Sequence, residues 1–201
     1  MMSKTHIAVG TTFALLIAEP TPAGACLALA GGALGGIMPD VDIIANDSTG
    51  DALRGEIIAA IVIILSFVCD MIFKFNAFHF IERPRYYLLF GIILFISLYA
   101  FGVTRDHRGF THSLVALIIY SMPIVAIYEP LTQYFMIGFF SHLFIDLFNK
   151  RGIQLLFPLK KRFCFGLYYA DKLANKVIMI IGLVATVALL INCFIYHISF
   201  Q

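Results

Sequence analysis

The sequence predicts an all-α fold, a polytopic transmembrane helical bundle of about seven spans, and three observations carry that reading. The 201 residues are 61% hydrophobic and only 13% charged. Mean hydropathy is +0.92, far above a soluble domain, and chains of this kind bury their apolar surface in a bilayer. The apolar residues also fall into seven runs separated by polar links, five of them close to the ~20 residues that a spanning helix needs and the first two shorter. No repeat, low-complexity tract or boundary divides the chain, so residues 1–201 are read as a single integral-membrane domain.

The first two runs, His6–Ala18 and Ala23–Met38, are short and joined by Glu19-Pro20-Thr21-Pro22, which suits a shallow hairpin. Lys4 before an apolar stretch has the look of a secretory signal. However, Glu19, Pro20 and Pro22 interrupt the approach to a cleavage site, so the segment is expected to be retained. The second run carries Gly31/Gly35 and Gly32/Gly36, overlapping GxxxG pairs that let backbones approach closely. Pro39-Asp40-Val41-Asp42 ends it, and a polar link runs through Asn46, Asp47 and Asp51 to Arg54. The third span is Glu56–Phe73, followed by a loop with Lys74, Glu82, Arg83 and Arg85, and the fourth is Tyr86–Val103. Thr111–Tyr128, with Pro123 inside it, is the fifth; Glu129-Pro130 turns into the sixth, Leu131–Phe148. A basic stretch, Asn149–Asn175, precedes the last span, Lys176–His197.

Alternating sides through seven spans places eleven of the 14 Lys and Arg with Lys4, and only Lys74, Arg83 and Arg85 opposite. Basic residues concentrate in cytoplasmic loops, so the side bearing Lys4 and the N-terminus is expected to be cytoplasmic. A net charge of +2 gives no argument for nucleic acid, and Cys26, Cys69, Cys164 and Cys193 stand singly, without a disulfide framework.

The alternation uses no histidine, yet it gathers histidines and aspartates on one face. His6 starts the first span, and Asp40 and Asp42 end the second. His107 and His112 lie between the fourth and fifth, within Arg105-Asp106-His107-Arg108-Gly109-Phe110-Thr111-His112-Ser113. His142 and Asp146, four apart and so on one helical face, end the sixth. Ionisable groups are costly beside hydrocarbon, which makes such a cluster a candidate site. Imidazole and carboxylate donors without a nearby thiolate suit a divalent ion, zinc first, with manganese or iron as alternatives. The candidate metal ligands are His6, Asp40, His107, His112, His142 and Asp146. Asp42 is a candidate proton acceptor and Arg108 a candidate stabiliser of developing negative charge; Thr111, Ser113 and Ser141 are candidate substrate contacts. Each reading competes with a blander one: an interfacial His6, a polar turn at Asp40 and Asp42, a lipid-anchoring His107, and a buried ion pair of His142 with Asp146. His79 and His197 fall on the opposite side and are read as structural.

Four stretches carry a resemblance. Thr5-His6, Pro39-Asp40-Val41-Asp42, His107-Arg108-Gly109-Phe110-Thr111-His112-Ser113 and Ser141-His142-Leu143-Phe144-Ile145-Asp146 occur in that order, followed by Gly152 and Pro158. Over roughly residues 1–175 the sequence resembles the YdjM-like family of bacterial inner-membrane proteins, classed among metal-dependent hydrolases. The resemblance implies a multi-span inner-membrane protein with a His/Asp metal site. A looser likeness, in span count and His/Asp chemistry only, is to seven-span zinc-dependent ceramidase-type hydrolases.

The function expected is hydrolysis at the cytoplasmic membrane surface, through a metal-activated water, of a lipid-like ester, phosphoester or amide. The partners expected are membrane lipids and a lipid-like substrate. Two alternatives stand beside it. A metal or proton transporter would place ionisable groups near mid-membrane with access from both sides, whereas these crowd one face. A non-catalytic membrane protein with a structural metal would need fewer ligands than are present.

Overall fold

A computed structural model describes residues 2–43, 50–79, 84–167 and 172–199. The described residues form seven α-helices: α1 Ser3–Ile17, α2 Pro22–Ile37, α3 Asp51–Phe73, α4 Arg85–Val103, α5 Leu114–Tyr128, α6 Thr132–Phe148 and α7 Lys172–Ser199. Short 3-10 turns cover Met38–Ile43, Phe110–His112 and Glu129–Leu131. The all-helical expectation holds. By length and hydropathy, five stretches are candidate membrane spans rather than about seven: Pro22–Ile43, Asp51–Phe73, Arg85–Val103, Leu114–Phe148 and Leu173–Tyr196. At 15 residues, α1 reaches only about 22 Å, short of a ~30 Å hydrocarbon core. The 35-residue stretch comprises α5 and α6. These two double back on each other, because His112 just before α5 lies 3.2 Å from His142 near the end of α6.

Local chemistry sets the helix ends. Thr21 caps α2 by accepting from Gly24 N at 3.1 Å, with Pro22 at the first helical position. Ser113 caps α5 by accepting from Ala116 N at 3.1 Å, so the helix starts at Leu114 and leaves Thr111 and His112 in a 3-10 turn. Gly50 (φ 67°) supplies the left-handed residue before α3, which therefore starts at Asp51 rather than Glu56. At the far end of α3, Asp70 accepts from Ala77 N at 2.7 Å and Phe78 N at 3.0 Å, tying down the turn that holds His79. Asn46, Asp47, Glu82, Arg83 and the His197 side chain lie outside the described residues.

The centre of the bundle is α2, packed between α1, α3 and α6. Its glycines are what permit this. A Cβ on Gly32 would come 2.6 Å from Gly10 O of α1, and one on Gly138 of α6 would come 2.5 Å from Gly32 O. The GxxxG pairs thus serve backbone-to-backbone packing. Outside them, α3, α4 and α7 expose Ile57, Ile61, Ile93, Ile96, Val184 and Val187. An apolar outer belt of this extent suits lipid, not water.

One end of the bundle collects the polar groups. There Ser3 N donates to Asp51 Oδ2 at 3.1 Å and Met2 N to Asn175 Oδ1 at 3.2 Å, so the starts of α1, α3 and α7 are neighbours. Residues 149–167 after α6, read from sequence only as part of a basic stretch, fold back over this end. Ile153 and Phe163 pair their backbones at 2.8 and 3.1 Å, and Gln154 N donates to Arg108 O at 3.1 Å.

Candidate metal centre

At this end the structure brings together all eight candidate residues. His6 comes from the first turn of α1, Asp40 and Asp42 from the 3-10 turn after α2, His107, Arg108 and His112 from the link between α4 and α5, and His142 and Asp146 from the last turns of α6. The four-residue spacing puts His142 and Asp146 on the buried face of α6, as the sequence reading has it. All but His107 are at most 4% exposed.

Five side chains bring donor atoms close together in two overlapping groups, His6 with Asp40 and His142, and His112 with His142 and Asp146. His112 Nε2 lies 3.2 Å from His142 Nε2 and 3.7 Å from Asp40 Oδ1 and Asp146 Oδ2. Asp40 Oδ1 is 3.5 Å from His142 Nε2, and Asp146 Oδ1 is 3.6 Å from His6 Nε2. These separations approach the roughly 3.0–3.4 Å between ligand atoms held by one ion on ~2.1 Å bonds. His6 stacks on His142 with ring centroids 3.6 Å apart, yet neither of its ring nitrogens has a hydrogen-bond partner. A fully buried imidazole with two orphaned nitrogens is costly, and a cation taken by Nε2 would remove that cost.

The groups behind these donors fix their orientation. His142 Nδ1 donates to Gly36 O at 2.8 Å, leaving Nε2 with the lone pair in the neutral ring. His112 Nδ1 faces Asp42 Oδ2 at 3.3 Å, the carboxylate–imidazole arrangement that orients metal-binding histidines. Asp40 Oδ2 is held by Ser3 Oγ at 3.0 Å, leaving Oδ1 toward the histidines. Asp42 also accepts from Thr111 Oγ1, from Arg108 N at 3.1 Å and, through Oδ1, from His107 Nδ1 at 2.8 Å. His107 therefore sits one carboxylate away from the inner five, in its own group with Asp42 and His112, and it is half-buried.

Arg108 is buried, and its guanidinium contacts Asp146 Oδ2 at 3.1 Å, His107 Nε2 at 3.3 Å and Gly152 O at 3.5 Å. Its backbone is left-handed (φ 65°), a strained state for a residue with a side chain, and the hydrogen bond from its N–H to Asp42 helps hold it there. Three buried carboxylates (Asp40, Asp42, Asp146) stand among the histidines, with the Arg108 guanidinium beside Asp146, an environment that favours positive charge. The His112 ring registers this field. Burial opposes its protonation, but Asp42, Asp40 and Asp146 outweigh burial and push it up to about 9.

Three candidate substrate contacts are employed otherwise. Thr111 serves Asp42, Ser113 caps α5, and Ser141 Oγ donates to Gly138 O at 2.7 Å. Small hydroxyls in apolar helices satisfy themselves on nearby backbone. His79 lies apart, its Nδ1 donating to Asn76 O at 2.8 Å. Sequence reading missed Ser3 and the Gly36 carbonyl. Ser3 stands three residues before His6 and could have been noticed; a backbone acceptor leaves no mark in sequence.

A sequence model of the family described as YdjM inner membrane protein matches residues 1–200. Among curated proteins, the chain is 33% identical over 98 residues to a Bacillus subtilis (strain 168) protein named "Uncharacterized protein YvsG"; the match covers 47% of this chain and 58% of that protein. The chain thus spans less than two thirds of that relative's length. No solved structure matches the chain.

Proposed function

The chain belongs to the YdjM inner membrane protein family, and on that premise we propose that it is a metal-dependent hydrolase working at the cytoplasmic face of the inner membrane on a lipid-like ester, phosphoester or amide. The observation that carries the reading is the orphaned His6 ring, stacked on His142 inside a buried set of imidazoles and carboxylates. His6, Asp40, His112, His142 and Asp146 would hold the ion. Their mixed nitrogen and oxygen donors favour Zn²⁺, with Mn²⁺ or Fe²⁺ next. Such an ion supplies Lewis acidity and makes water acidic enough to ionise near neutral pH.

The protein's own groups divide the remaining work. Arg108 holds Asp146 in place and balances its charge, so it acts on the centre through that carboxylate. Asp42 fixes the His112 ring, and its Oδ1, which accepts from His107 Nδ1, joins the centre to the half-buried His107. In this reading all seven helices traverse or enter the bilayer, with both N-terminus and site on the cytoplasmic side; the basic-residue asymmetry supports that orientation.

The test is purified protein with a panel of lipid esters, phosphoesters and amides, assayed with and without chelator. We expect slow turnover of at least one class, abolished by chelator and restored by added Zn²⁺ or Mn²⁺. Metal flux into proteoliposomes lost in His142→Ala, with no turnover of any panel member, would make the protein a transporter. A second reading has one observation in its favour: the five inner donors are at most 3% exposed, as in a closed structural site. Bound metal that never exchanges, with no turnover and no flux, would establish it.

A further inference from the structure

Beside the cluster, at the same end of the bundle, lies a pocket of about 430 Å³. That volume is within the roughly 300–1,000 Å³ typical of small-molecule sites. Its walls differ in kind. Phe101, Phe110 and Phe157 form one continuous aromatic side, with Phe110 edge-on to each of the others at 5.4 Å between centroids. Arg105 and Arg162 supply the charge, and both are exposed at the rim. Among the described residues, no ion pair of either with a carboxylate is formed. Arg105 lies 4.1 Å over the Phe101 ring and donates from Nε and Nη2 to Thr104 Oγ1 at 3.3 and 3.2 Å. The guanidinium is thus set in place with donor capacity to spare. Gln154 adds an amide, Asp106 is the one acidic residue on the wall, and Lys160 and Lys161 stand exposed beside Arg162. The floor is His107, whose Nδ1 donates to Asp42 at 2.8 Å, so whatever fills the pocket sits one histidine and one carboxylate from the buried centre.

We propose that this pocket binds the phosphate group of a phosphorylated amphiphile, with Arg105 and Arg162 on the phosphate and the three phenylalanines along the first carbons of its apolar body. Two guanidiniums and an amide offer more donors than a carboxylate has oxygens, and a planar fork suits phosphate oxygens. The aromatic side adjoins the lipid-exposed part of α4, since Phe101 is itself an exposed residue of that helix. An apolar tail can therefore continue into the bilayer while its head stays at the rim. The inference rests on the hydrolase reading for what the ligand is for, narrowing the substrate to the phosphoester class; the binding itself requires no turnover.

The experiment is calorimetric titration of the detergent-purified full chain with dioctanoyl phosphatidic acid, dioctanoyl glycerol and inorganic phosphate. We expect the phosphatidic acid to bind and the glycerol not to. R105Q and R162Q should each weaken binding severalfold and the double variant more than tenfold, with thermal midpoint and metal content unchanged. If inorganic phosphate competes only at far higher concentration, the ligand is a lipid. If it competes at equal concentration, the ligand is a soluble phosphate, and the phosphate site stands while the tail contacts fall. Equal binding of the glycerol, or a double variant within twofold of wild type, would overturn the proposal. Phosphatidic acid binding with no turnover of any lipid would sink the hydrolase reading alone. Chelator-sensitive turnover of an uncharged lipid, with no phosphatidic acid binding, would sink this one alone.

Discussion

His6 has no exposed surface and no hydrogen bond at either ring nitrogen, while its neighbours His112 and His142 each have Nδ1 engaged and Nε2 turned inward. This asymmetry separates residues that would touch an ion from those that orient them. Asp42 belongs to the second kind, so Asp42→Asn should weaken metal affinity by roughly 10–100-fold without emptying the site at saturating metal. Competition titrations with a chromogenic chelator would measure this, and complete loss of metal in Asp42→Asn would move Asp42 among the ligands. The same competition should depend on pH. With His112 pushed up to about 9, metal must displace its proton, so apparent affinity should rise as pH rises toward 9 and fall below it. A flat profile from pH 6 to 9 would contradict the assignment of His112 as a ligand.

Among the elements, α6 carries two of the inner donors and lies against α2 with almost no clearance. Gly138 of α6 admits no Cβ, since Gly32 O would be 2.5 Å away and Gly36 N 3.0 Å, both of them backbone atoms that cannot turn aside. Gly138→Ala should therefore destabilise by about 1–3 kcal/mol, with looser metal binding, because His142 stands one turn further on. Ile96→Ala on the exposed face of α4 should stay within about 0.5 kcal/mol. Thermal unfolding in detergent compares the two, and a harmless Gly138→Ala would mean that α2 and α6 are not packed so closely. The helices were legible because long apolar runs admit few other structures in lipid. The start of α3 was not, since Gly50 and Asp51 look like loop until the left-handed glycine is seen to open a helix. The segment after α6 was not either: its order comes from backbone pairing, Ile153 with Phe163 and Gln154 with Arg108, which side-chain patterning does not encode.

At the scale of the whole molecule, alternating helix directions carry distant segments to one end, and that alternation made the site legible before any distance was known. Which of the eight residues face the centre was not legible, because His107 and His112 differ only in the turn that holds them. In the proposed orientation this end faces the cytoplasm, so reporter fusions after Lys150 and at Gln201 should read opposite sides; the same side for both would break the seven-helix topology across the bilayer. The central claim is that the buried cluster holds a metal ion, and elemental analysis of purified, folded protein tests it most directly. We expect about one Zn²⁺, Mn²⁺ or Fe²⁺ per chain, lost in His6→Ala and His142→Ala variants that still unfold cooperatively, and kept in His79→Ala. A parent protein that takes up no divalent ion, or His6→Ala and His142→Ala variants that keep its full metal content, would contradict the claim.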